Sequence, residues 1–168
     1  MSTLINPSTV EPQAYTALVL GFRVDKAAAI LPASTTQSLF TVAGGRVLCT
    51  LMIGEVTTVF DGTANSLSVE VDPTVGAAAD LAAATVCTTD AAGTLYTVHG
   101  IQAALLGTQT EGGTQVPTHA TAKAPLGGGF IIPAGVVQLL TTATDTTGAT
   151  KWFMYYVPLD EGATVVSA

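Results

Sequence analysis

Hydrophobic positions along this chain recur mainly at two-residue spacing. The segment "SLSVEV" (66–71) puts Leu67, Val69 and Val71 on one face and Ser66, Ser68 and Glu70 on the other. That is the period of a half-buried antiparallel strand. Asp72-Pro73 follows and ends it, because proline cannot donate to the ladder. "RVLCTLMIGEVTTVF" reads as one long strand, or as two broken at Gly54. "TLYTVHGI", "FII", "VVQLLTTAT" and "KWFMYYV" read as further strands. Turn signals separate these runs: "AGG" at 43–45, "DGTANS" at 61–66, "DAAG" at 90–93, "EGG" at 111–113, "LGGG" at 126–129, "PAG" at 133–135 and "DTTG" at 145–148. Many short strands with regular turn signals predict a sandwich or barrel.

The expected fold is all-β: an antiparallel β-sandwich or jelly-roll-like barrel with an extended N-terminal arm. Residues 1–14 carry Pro7 and Pro12 without periodicity and read as that arm. Residues 15–168 then form a single β domain. Within it, 107–125 is a long polar Gly/Thr/Pro loop, of a kind that is usually functional or mobile. Residues 77–88 are ambiguous. Their alanines favour a helix by propensity, whereas the Thr-rich flanks and poor apolar stripe favour loop plus strand. The units "GGRVLCTLMIGEVTTVFDGTANSLSVEVDP" and "AGVVQLLTTATDTTGATKWFMYYVPLD" share an order of glycine, apolar strand, Asp/Gly/Thr turn and second strand. They read either as two similar hairpins facing each other in a two-sheet sandwich or as low-complexity coincidence.

Four of the ten aromatic residues sit within 152–156: Trp152, Phe153, Tyr155 and Tyr156. Strand alternation sends Trp152, Met154 and Tyr156 one way and Phe153, Tyr155 and Val157 the other. Both faces are large and apolar, and each aromatic ring buries ~150–250 Å². A one-core sandwich uses only one such face. The second is covered by loops or the arm, or by another subunit or a host surface. The four aromatics are therefore the candidate self-association residues.

Composition narrows the class. The 168 residues suit one domain, and the 48 % hydrophobic content argues against disorder by composition. Charged residues are only 10 %, against roughly 25 % in an average soluble domain. Such a surface loses little on desolvation, which suits extensive protein contact. Net charge is −7, and the five basic residues, Arg23, Lys26, Arg46, Lys123 and Lys151, are scattered along the chain. Nucleic-acid binding, which needs phosphate neutralisation, is not expected. No apolar run approaches the ~18 residues of a membrane span, and "MSTLINPSTVEPQ" lacks the features of a secretory signal. No membrane partner is expected. Cys49 and Cys87 form no CxxC and read as buried free thiols of a protein made in a reducing cytoplasm.

Candidate chemistry is sparse. His99 and His119 have no Cys, His, Asp or Glu at ligand spacing, so no metal site is expected. There is no GxSxG. "DTTG" departs from an aspartic-protease "DTG" by the extra Thr147, and "LGGGF" lacks the GK[ST] of a P-loop. Glu70 and Asp72 share a strand face and leave a weak cation site conceivable; Asp160 and Glu161 form a second acidic pair. No cofactor is expected, and the reading is non-enzymatic.

The stretches "LFTVAGGRVLCTLMIGEVTT", "AAGTLYTVHG" and "GFIIPAGVVQLLTTATDTTGATKWFMYYVPLDEGATVVSA" resemble small structural proteins of tailed bacteriophages, in particular capsid decoration (cement) proteins. The resemblance covers residues 36 to 168 and rests on turns and strands, with no motif of functional residues to carry over. It implies an all-β protein, often trimeric, that sits on the outer head surface, binds the major capsid protein and braces the capsid. Its implied location is the virion, after synthesis in the host cytoplasm. For capsid contact the arm supplies Ser2, Leu4, Ile5, Val10 and Tyr15. The alternative is a baseplate, fibre or surface adhesin module that holds a receptor through its loops, chiefly 107–125.

Overall fold

The structure is a computed structural model and describes residues 20–98 and 129–168. The expected arm with Ser2, Leu4, Ile5, Val10 and Tyr15, the 107–125 loop, and both histidines lie outside these residues. The described chain forms ten strands: β1 (Phe22–Ile30), β2 (Thr36–Ala43), β3 (Val47–Thr58), β4 (Ser66–Pro73), β5 (Ala79–Val86), β6 (Leu95–Thr97), β7 (Phe130–Ile132), β8 (Gly135–Thr141), β9 (Ala149–Pro158) and β10 (Thr164–Ser167). They make two sheets. Sheet A has the order β1-β9-β3-β6, with β7 also on β3, and sheet B has the order β10-β2-β8-β4-β5. Every pairing among the described residues is antiparallel. The chain steps from one sheet to the other at nearly every connection. The order 1-9-3-6 over 2-8-4-5 is that of a jelly roll, with β10 added beside β2.

The core lies between the sheets and follows the period-2 pattern. From sheet A come Val47, Cys49, Met52 and Val56 of β3, and Trp152, Met154 and Tyr156 of β9. Sheet B answers with Leu67, Val69 and Val71 of β4 and Val137 and Leu139 of β8. A register shift between Ser38 and Phe40 lets β2 bury Leu39 and Phe40 in succession. Strand β3 is unbroken at Gly54. A Cβ there would lie 2.6 Å from the Trp152 ring, so the glycine makes room for the largest core side chain. Residues 79–86 of the ambiguous segment form β5, an edge strand, so the helical propensity of its alanines is overridden by pairing with β4.

The two echoing units are arches, which corrects the hairpin expectation. In each, the strand before the Asp/Gly/Thr turn and the strand after it belong to different sheets. Strand β3 pairs with β9 and β4 pairs with β8, so the units clasp each other across the core. Two of the outer edges, β1 and β5, are blunted. β1 carries a bulge between Lys26 and Ala29, and the Lys26 ammonium reaches across to the Ala168 carbonyl beyond β10. β5 carries two register shifts against β4. Bulges and inward charges on edges oppose pairing with stray strands.

Strands β6 and β7 follow one line along β3. Thr97 faces Ile53, the Val98 N–H bonds the Met52 carbonyl, and Phe130 faces Cys49. β9 occupies the other side of β3 along its whole length. Val98 and Gly129 therefore stand close together along one strand position beside β3.

Candidate functional site

The outer face of sheet A is apolar across its central strands. The register lays it out in rows: Ile131–Leu48–Val157, then Leu51–Tyr155–Arg23, then Thr97–Ile53–Phe153–Asp25, then Leu95–Glu55–Lys151. Phe153 and Tyr155 meet edge to face with ring centroids 6.1 Å apart. The Arg23 guanidinium lies 4.8 Å from the Phe153 centroid and 5.8 Å from that of Tyr155, within cation–π range. Asp25 holds Arg23 in place, with Nε donating to its carboxylate at 2.9 Å. Lys151 pairs with Glu55 at 3.0 Å. A shallow cleft of about 250 Å³ opens beside the β1 bulge and is lined by Arg23, Asp25, Lys26, Glu55, Lys151 and Phe153. Its charges are largely committed to each other, so it offers no free acid–base pair.

The four aromatics proposed for self-association divide between the two faces. Trp152 is 1 % exposed and donates its indole N–H to the Thr150 hydroxyl, and Tyr156 is 8 % exposed. Both belong to the core, because β9 lies inside its sheet and must supply the inward face. Their large side chains are thus covered within the chain itself. Phe153 and Tyr155 stand on the outer face, with Tyr155 largely covered by its own neighbours. Sequence reasoning missed Leu48, Leu51, Ile53 and Ile131, which share that face. The apolar run "LCTLMI" held the signal, but the register shift between Cys49 and Leu51 hides its alternation.

The apolar face ends in an exposed corner. Ile131 is 49 % exposed, Val157 39 % and Leu159 46 %, while Phe22, 59 % exposed, lies on the inner side at the β1 edge. Phe22 packs on Tyr156 at 5.8 Å. The Leu159 N–H bonds the Arg46 carbonyl, and Arg46 binds Asp160 through two guanidinium N–H groups at 2.9 and 2.8 Å. That grip holds the Asp160 carboxyl well below the usual carboxylate range.

The outer face of sheet B is mixed: it carries Val136 and Leu140 of β8 and the exposed Val86 and Val166, among more polar positions. Thr36, Ser38 and Thr41 of β2, Gln138 of β8, and Ser66, Ser68, Glu70 and Asp72 of β4 are not buried. Glu70 stands directly opposite Asp80 of β5. Partial burial, then Asp80 and Asp72, push the Glu70 carboxyl above its ordinary value. Among the described residues no group of three or more His, Cys, Asp and Glu is arranged to hold a metal ion.

The loops 31–35, 59–65, 87–94 and 142–148 meet at one end of the sandwich. Asp61 accepts from the Thr63 N–H (2.8 Å), and from the Thr146 N–H (3.0 Å) and hydroxyl (3.1 Å). Asp145 accepts from the Asp61 N–H and the Thr147 N–H, both at 2.9 Å, and from the Gly148 N–H. Asn65 Oδ1 accepts the N–H groups of Thr142 and Ala143. The two Asp/Gly/Thr turns thus hold each other, and "DTTG" is an inter-sheet arch. The donors around Asp61, foremost the Thr146 N–H, hold its carboxyl well below the ordinary range. Burial raises the Asp90 carboxyl, which accepts the Tyr96 hydroxyl, and burial raises Tyr96 as well. Cys49 and Cys87 are buried free thiols, each pushed by burial up to about 12. These groups serve the fold.

Compared with protein-family models, with curated proteins and with solved structures, the chain finds no match.

Proposed function

We propose that this chain is a non-enzymatic structural protein of a virion, a capsid decoration protein that binds the outer head surface and stabilises it. The observation that carries the reading is the two-sided apolar character of β3 and β9. Their inner faces fill the core, and Leu48, Leu51, Ile53, Phe153 and Val157 line an outer face that the sandwich does not need for its own core. Such a face belongs to a protein that works against other protein surfaces. The sequence resemblance to decoration proteins of tailed phages points the same way, and a jelly roll is compatible with it, although a fold alone does not assign a function. The partners are further copies of the chain, a trimer being the arrangement that the resemblance favours, and the major capsid protein. The arm at 1–14 is assigned to the capsid. Many weak contacts repeated on a lattice add up through effective concentration.

The test is co-sedimentation of the purified protein with heads assembled from the capsid protein of the genome that encodes it. The expected result is saturable binding and a higher melting temperature of the heads. Heads that neither retain the protein nor gain stability would contradict the proposal.

The second reading, an adhesin module, draws on the interrupted β6–β7 line. A segment that leaves a strand and rejoins it at the same place is well placed to present a binding loop. Replacing 107–125 by a short Gly-Ser linker would then abolish receptor binding and leave assembly intact, whereas head binding by a decoration protein survives that change.

A further inference from the structure

We infer that the outer face of sheet A is covered by a second copy of this same chain, an inference that rests on the assembly reading above. The occupant follows from that assembly reading, and charge selects the face. The chain carries a net charge of −7, so two copies repel wherever their acidic surfaces meet. The outer face of sheet A is the exception. Its two cations, Arg23 and Lys151, are matched by Asp25 and Glu55, so the face carries no net charge. The other described basic residues are also engaged: Arg46 by Asp160, Lys26 by the Ala168 carbonyl. Sheet B is different. Glu70, Asp72 and Asp80 gather at its β4–β5 side, and no ion pair joins any of them to a basic residue among the described residues. An acidic copy meets least repulsion by approaching sheet A. That contact also leaves the acidic side of sheet B outside the interface.

The apolar surface agrees. Among the described residues, the exposed Ile131, Val157 and Leu159 gather at one corner of the outer face of sheet A. Ile131 and Val157 flank Leu48 in a single row across three strands. Burying this row against another copy removes apolar surface from water without stranding an unpaired charge. A strongly basic partner, by contrast, would gain nothing from a neutral face and would be drawn to sheet B.

The experiment is sedimentation equilibrium of the full chain and of the double variant Ile131→Asp/Val157→Asp, at low salt and at about 0.5 M salt. The parent is expected at a fixed multiple of 16.9 kDa. Added salt should leave its association unchanged or strengthen it, because screening weakens only the overall repulsion. The double variant should lose association by about 100-fold or more in Kd, since it buries two unpaired carboxylates. Both positions are exposed, so the variant should keep the parent's far-UV circular dichroism. Should it misfold, the single Val157→Asp change carries the same expectation with a smaller loss. Glu70→Lys on sheet B should leave the oligomer intact. A parent that is monomeric at every concentration, or a folded double variant that associates like the parent, overturns the inference. If Glu70→Lys dissociates the oligomer and the sheet A variants do not, the chosen face is wrong, while the assembly reading stands.

Discussion

At the scale of single residues, Gly54 and Trp152 act as one unit. The indole occupies the space a Cβ at 54 would need, in the middle of a strand that pairs on both sides. Gly54→Ala should cost about 1–3 kcal/mol by overpacking, read as a lower midpoint in urea with an unchanged slope. Asp61 gives a pH signature. Its folded pKa lies below its unfolded value, so its contribution is present above the unfolded pKa and is lost as pH falls through the folded one. Asp61→Asn should therefore lower the melting temperature at neutral pH. The gap to the parent should close as the solution is taken below about pH 4. An acid-independent gap would show that the carboxylate charge is not what grips Thr146. Legibility at this scale was uneven. The alternation of 152–157 was plain, including which residues share a face. That Trp152 and Tyr156 stand on the core face was hidden, because two apolar faces of one strand look alike until the facing sheet is known.

At the scale of elements, "SLSVEV" was readable as β4 because its alternation is strict, and "KWFMYYV" as β9 because it is dense in strand formers. β1 was not readable: "FRVDKAAAI" mixes charge and alanine, as suits an edge strand with one neighbour and a bulge. The repeated Asp/Gly/Thr turns were visible, but not that they are arches. A turn sequence fixes a local bend, and only the pairing of β3 with β9 and β4 with β8 decides which sheet each arm joins. The shared line of β6 and β7 yields a prediction. Thr97 and Phe130 face β3 residues only four positions apart, Ile53 and Cys49, and Val98 and Gly129 fill much of the gap. Joining Val98 to Gly129 directly or through one glycine, without residues 99–128, should leave a folded sandwich. Its melting temperature should be within a few degrees of the parent's. Loss of cooperative unfolding would show that the excised segment completes the core.

At the scale of the whole molecule, the chain is a jelly roll with two unlike sides. One end is knitted by loop carboxylates and threonines, one sheet shows a mixed face that is acidic at its β4–β5 side, and the other shows a neutral apolar face. The all-β class, as a sandwich or jelly-roll-like barrel, followed from strand-length runs and regular turns, whereas the strand order did not. The difference between the sheets did not, because it depends on which strands pair. The low charge content pointed to a contact protein without saying where the contact lies; the register places the candidate surface on β3, β7 and β9. The most direct measurement is hydroxyl-radical footprinting of the protein at high and low concentration. Ile131, Val157 and Leu159 should become protected as concentration rises, while Val86 and Val166 on sheet B remain equally reactive. Equal labelling of the sheet A corner at both concentrations, or protection confined to sheet B, would contradict the account.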